Sequence, residues 1–105
     1  METITAEGLK ELLTQNPNLY LLDVREPWEF ELCHIEGSIN IPMTELMGKL
    51  DTLDQSRETI VICHHGARSF QVAGFLENTG FERVTNLEGG VAAWASQVEP
   101  DMPKY

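Results

Sequence analysis

TIVICHHGAR, Thr59 to Arg68, sets an apolar run against a polar loop, and the rest of the chain reads outward from it. Thr59, Ile60, Val61 and Ile62 are all β-branched, and such side chains suit a pleated, covered surface better than a helix. The spacing predicts a strand over Thr59–Cys63, buried on both faces because it does not alternate apolar with polar. The loop HHGAR follows, and then a helix predicted from Ser69, with Val72, Ala73 and Leu76 inward and Gly80 closing it.

The same alternation extends in both directions. Upstream, Thr5 caps a predicted helix with Leu9, Leu12 and Leu13 on one face, ending near Asn16-Pro17. LYLLDV (Leu19–Val24) is a second buried strand, Pro27 opens a short helix through Trp28, Phe30 and Leu32, and SINIP is a brief strand stopped by Pro42. Thr44 opens a further predicted helix with Leu46, Met47, Leu50 and Leu53 at helical spacing. Downstream, RVTNL gives a last strand, Gly89-Gly90 a turn, and VAAWA a closing helix. Strands separated by helices predict an α/β fold, a mainly parallel sheet of about five short strands with helices on both faces. The chain of 105 residues fits one domain spanning 1–105.

Composition narrows the function classes. Seven basic and 17 acidic residues give a formal net charge of −10, which disfavours nucleic acid and anionic membranes as partners. No apolar run approaches the ~20 residues that span a bilayer. Met1–Lys10 lacks an apolar signal core, so a cytoplasmic location is expected by default. Two cysteines, Cys33 and Cys63, are too few for a disulfide framework. Cys33 reads as a small buried hydrophobe.

Cys63 is placed for chemistry. Ligands in open α/β sheets bind beyond the carboxyl ends of strands, where helix N-termini offer unpaired N–H groups and about half a positive charge. A thiol there is expected to ionise more readily, between ~3.5 and ~7.5 instead of ~8.5. Gly66 permits a left-handed backbone, so that successive N–H groups turn inward as an anion nest. Thr59 to Leu76 contains no Asp or Glu in 18 residues, where this composition leads one to expect about three. His64, His65 and Arg68 make the loop locally electropositive.

At this point the chain resembles the rhodanese family over almost its whole length. Cys63–Ser69, CHHGARS, is similar to the family's active-site loop. LLDVREPWEFELCHIEGSINIP (Leu21–Pro42) resembles its first signature, and NLEGGVAAW (Asn86–Trp94) its second. The resemblance implies a sulfurtransferase in which Cys63 takes a sulfane sulfur from thiosulfate or a similar donor and passes it to a thiol, cyanide or a protein acceptor. It implies that loop N–H groups of His64, His65, Gly66, Ala67, Arg68 and Ser69 cradle the substrate, and that neither a metal nor an organic cofactor is needed. Asp23 and Arg25 are implied as loop support, while His34, Gly37 and Asn40 read as turn and hydrogen-bonding residues. Arg68 either meets the donor anion or pairs with a carboxylate such as Asp23 to brace the loop, and bracing is the preferred reading. For His64 and His65 the open readings are tuning the thiolate, steering anions or moving a proton, and a modest electrostatic role is expected of both with a specific one for neither.

Two other classes stay open. One is a sulfur-carrier or docking module working with a partner protein. The other is a phosphatase or arsenate reductase of the same fold, which the Cys-x4-Arg spacing disfavours, since those enzymes resemble Cys-x5-Arg. A zinc site from Cys33, His34, Cys63 and His64 or His65 lacks the paired spacing such sites use.

Overall fold

The computed structural model describes all 105 residues. Five parallel strands form one sheet: β1 (Glu2–Ile4), β2 (Tyr20–Asp23), β3 (Ile39–Asn40), β4 (Thr59–Ile62) and β5 (Val84–Leu87), in the order β1-β5-β4-β2-β3. Around it lie α1 (Ala6–Gln15), α2 (Pro27–Leu32), α3 (Ala67–Asn78), α4 (Gly90–Gln97) and a 3-10 helix at Leu46–Thr52. No helix is long and apolar enough to cross a membrane.

The period-two alternation of strands divides the core into two layers. Leu21, Ile60, Ile62 and Leu87 meet Ala6 and Leu9 of α1 and Val91, Trp94 and Ala95 of α4. Leu22, Val61 and Val84 meet Val72, Ala73 and Leu76 of α3 on the other face. The predicted two-sided α/β architecture therefore holds. Cys63 falls in the second layer by this alternation, two residues after Val61, which sets its sulfur under α3.

Several local expectations change. β1 has no prediction behind it: its three residues, Glu2-Thr3-Ile4, are too short and too polar to stand out, and tertiary pairing with β5 makes them a strand. Thr44 does not start an α-helix. The segment is 3-10, with no side-chain cap at Glu45 and Gly48 in its middle, and of the predicted face only Leu46 is buried while Met47 is exposed. β4 stops at Ile62, because the Cys63 carbonyl leaves the ladder to accept from Val91 N–H at 2.9 Å. Helix α3 begins at Ala67, two residues before the expected Ser69. Thr5 caps α1 as predicted, its hydroxyl accepting from Gly8 N–H at 3.0 Å.

Candidate active site

The site is built where β4 hands over to α3. Cys63 is 1% exposed, and two donors converge on its sulfur: Gly66 N–H at 3.0 Å and the Ser69 hydroxyl at 3.2 Å. Gly66 makes this possible with φ of +102°, the left-handed conformation that a side chain resists. The turn brings Ala67, Arg68 and Ser69 into the first turn of α3, whose N–H groups have no intrahelical acceptor. The backbone N–H groups of His64, His65, Ala67, Arg68 and Ser69 have no acceptor anywhere in the chain. A small anion arriving at the loop would therefore meet donors that nothing else occupies.

Two further groups shape the loop from behind. Asn86 of β5 accepts a short hydrogen bond from the Ser69 hydroxyl and donates through Nδ2 to the Gly66 carbonyl at 3.3 Å. Ser69 has one proton and also lies 3.3 Å from the Gly66 carbonyl, so Cys63, Asn86 and Gly66 compete for that proton. The predicted Gly89-Gly90 turn does more than reverse the chain. Gly90 starts α4 with φ of +58°, and the N–H groups after it, at Val91 and Ala92, hold the carbonyls of Cys63 and His64 at 2.9 and 3.0 Å.

Asp23 and Arg25 form a closed buried unit instead of reaching the loop. Arg25 is fully buried and uses all five N–H donors, on Asp23, the Glu29 and Cys33 carbonyls and the Tyr105 hydroxyl. Asp23 is consumed by this pairing, so the expected Arg68–Asp23 brace does not form. Arg68 pairs with Glu29 through two bonds of 2.9 and 3.0 Å. Glu29 also accepts from Glu26 N–H at 2.9 Å and from the Tyr105 hydroxyl at 2.8 Å. Chiefly through the Arg68 bonds, its carboxyl is held down to about 2. Arg68 is therefore paired with a carboxylate, and that carboxylate is Glu29 in place of Asp23.

Replacing Glu29 with Gln should lower stability by about 2–3 kcal/mol at neutral pH, since a buried pair loses one charge while Arg68 can still reach water. The pH dependence follows from the sign. A carboxyl held near 2 when folded, against an ordinary 4.5, adds stability above 4.5 that is lost as pH falls toward 2. The urea midpoint of the parent should fall more steeply across that window than that of Glu29→Gln. Parallel curves would show that Glu29 does not carry this linkage.

The histidines behave unequally. His64 stacks flat on Tyr105, ring centroids 3.8 Å apart, and the His65 ring lies 3.9 Å from it, centroid to centroid, tilted by 34°. Burial, then the neighbouring His65, lowers the His64 pKa, so at neutral pH His64 contributes packing more than charge. Cys33 and Cys63 lie in opposite layers of the core, so the grouping of Cys33, His34 and Cys63 is not brought together. His34 instead hydrogen-bonds the Phe30 carbonyl at 2.8 Å, and Asn40 donates to the carbonyls of Asp23 and Arg25, both at 3.0 Å.

Glu29, Asn86, Gly90 and Tyr105 were not singled out by sequence reasoning. Glu29 had only a partial signal: Arg68 calls for a carboxylate, but the sequence alone does not say which one. Tyr105 had none, being 76 residues from Glu29.

The family profile of the rhodanese-like domain matches residues 5–97. The chain belongs to the rhodanese-like family. A putative sulfurtransferase of Bacillus subtilis, YtwF, is 37% identical over 100 residues, covering 95% of this chain and 96% of that protein. The probable adenylyltransferase/sulfurtransferase MoeZ of Mycobacterium tuberculosis is 36% identical over 105 residues, but this chain spans only 27% of its length. The crystal structure of a rhodanese-related protein from Thermoplasma volcanium superposes with a TM-score of 0.85 at 36% identity, covering 95% of this chain and 96% of that one. The rhodanese-like fold and a relationship to sulfurtransferases are therefore established.

Proposed function

We propose that this rhodanese-like chain transfers sulfane sulfur through a persulfide on Cys63, with thiosulfate or a similar anion as donor. The carrying observation is the convergence of Gly66 N–H and the Ser69 hydroxyl on Sγ, inside a loop whose other N–H groups are free. The Cys63 thiolate attacks the outer sulfur of thiosulfate. A new S–S bond forms as the bond to the sulfonate breaks, and sulfite leaves with the electron pair. The persulfide anion stays on Cys63, its charge met by loop N–H groups. A thiolate or cyanide then attacks the outer sulfur and returns Cys63 as thiolate.

The pairing of Arg68 favours this reading over oxyanion chemistry. An oxyanion-processing loop needs its arginine aimed at the substrate, whereas here Glu29 holds both guanidinium ends. Incubation with thiosulfate and cyanide should yield thiocyanate, and an aryl phosphate should yield no phenol. The reverse pattern would replace the proposal with the phosphatase reading. A carrier variant shares the persulfide and differs in its acceptor. Its support is the MoeZ relative, in which the matching region is a minor part of a longer protein. Sulfur loaded on Cys63 that resists cyanide turnover would favour the carrier.

Cys33 has no part in this scheme. Its side chain packs in the α1/α4 layer, away from the loop. Cys33→Ala should leave the sulfur-transfer rate within about twofold, as expected for a change with no contact to reacting atoms. A rate loss comparable with that of a Cys63 substitution would assign Cys33 a resolving role.

A further inference from the structure

The family profile ends at residue 97, yet the chain beyond it is folded back onto the site. Met102 is buried in the α1/α4 layer and anchors this return. Lys104 Nζ donates to the Pro100 carbonyl at 3.1 Å, which tightens the turn. The segment ends with Tyr105 on the loop. Its ring lies flat on His64, next to Cys63, with only 6° between the planes. Its hydroxyl accepts from Arg25 and donates to Glu29, each at 2.8 Å, and Glu29 in turn fixes Arg68. One phenol therefore ties together both ends of the Cys63 loop, His64 on one side and Arg68 on the other. Trp28 meets the far edge of the ring in a T-shaped contact at 5.7 Å.

The arrangement is not a close-packed core feature. A cavity of about 170 Å³ remains between residues 103–105 and the Val91, Ala92 and Ala95 face of α4, and Tyr105 is 37% exposed. An aromatic held by one stack, one edge contact, a cation–π contact with Arg25 at 5.9 Å and two hydrogen bonds, beside open space, can leave without disturbing the sheet. Cys63, 1% exposed, needs some such movement before a donor can reach it.

We infer that Tyr105 is the cover and a positioning residue of this site: closed, it holds His64 and the Glu29–Arg68 pair in place, and its departure opens the path to Cys63. The inference rests on the proposed sulfur transfer only for the identity of what enters. An entering anion can take the place of the phenol oxygen as acceptor for Arg25, while water takes its place as donor to Glu29.

The test compares the full chain with Tyr105→Ala and Tyr105→Phe, reading the rate at which iodoacetamide alkylates Cys63 by peptide mapping. Iodoacetamide is neutral, so the rate reports access and not steering. Tyr105→Ala should alkylate about tenfold faster, and Tyr105→Phe, which keeps the stack and loses the hydroxyl, about threefold faster. In Tyr105→Ala the His64 ring should also titrate closer to its ordinary 6.5, because the ring that buries it is gone. Wild-type alkylation rates in both variants would overturn the inference. Alkylation needs no sulfur donor, so the two proposals fail separately. A chain that takes no sulfur from thiosulfate while Tyr105→Ala still uncovers Cys63 refutes the donor alone. Normal sulfur loading with unchanged alkylation refutes the cover alone.

Discussion

Cys63→Ser should lose sulfur transfer by at least about 1,000-fold, since a nucleophile is removed while binding groups remain. The substitution is close to isosteric, and Gly66 N–H and the Ser69 hydroxyl can hydrogen-bond an oxygen as they do the sulfur. The fold should survive with a melting temperature within a few degrees of the parent. What disappears is the sulfur nucleophile. Intact mass after thiosulfate treatment reads this directly. The parent should gain about 32 Da, one sulfur atom, and lose it to cyanide or a thiol, as a persulfide does. The serine variant should gain nothing. An equal gain in the variant would move the sulfur to Cys33 or to a non-covalent site and end the Cys63 assignment. A parent that gains nothing points to a donor other than thiosulfate before it points away from sulfur.

The layered α/β fold was legible because each buried strand carries an uninterrupted apolar signal. Leu21-Leu22 and Ile60-Val61-Ile62 each feed both core layers, so neither could be a half-exposed strand. β1 escaped notice because Glu2 and Thr3 are exposed and Ile4 only half-buried, so its strand character comes from pairing with β5. The sulfur-bearing loop was legible because its parts are contiguous: Cys63, Gly66 and Ser69 lie within seven residues, and a left-handed glycine leaves a local mark. Its support is non-local. Glu29, Asn86, Gly90 and Tyr105 come from α2, β5, α4 and the segment after it, and no window of sequence contains their encounter. The Arg68 partner shows the limit well. Charge balance demanded a carboxylate, but Asp23 and Glu29 could be told apart only once Arg25 was seen to occupy Asp23 completely.

Gly90→Ala should be the most disruptive single methyl in this site. A Cβ at Gly90 would lie 2.3 Å from the Cys63 carbonyl oxygen and 2.5 Å from that of His64, and both are backbone atoms with little freedom to yield. The residue also holds φ at +58°, a conformation that costs an L-residue about 1–2 kcal/mol. Displacing the two carbonyls would break their bonds from Val91 and Ala92, worth about 1 kcal/mol each, and crowding adds about 1–3 kcal/mol. Together these cost about 4–7 kcal/mol, which at roughly 4 °C per kcal/mol lowers the melting temperature by about 15–30 °C. Gly74→Ala is the control. Gly74 lies inside α3, and a Cβ there would meet nothing within 4 Å, so the same methyl should raise stability by about 0.5–1 kcal/mol. The difference matters for chemistry as well as folding. The carbonyls that α4 grips belong to Cys63 and His64, so their peptide planes, and the N–H groups that face an incoming anion, are set by the same contact. At a temperature where Gly90→Ala is still folded, sulfur loading should therefore slow while Gly74→Ala loads at the parent rate. Equal melting temperatures for the two glycine variants would show that the α4 N-terminus can retreat, and that the loop does not depend on it.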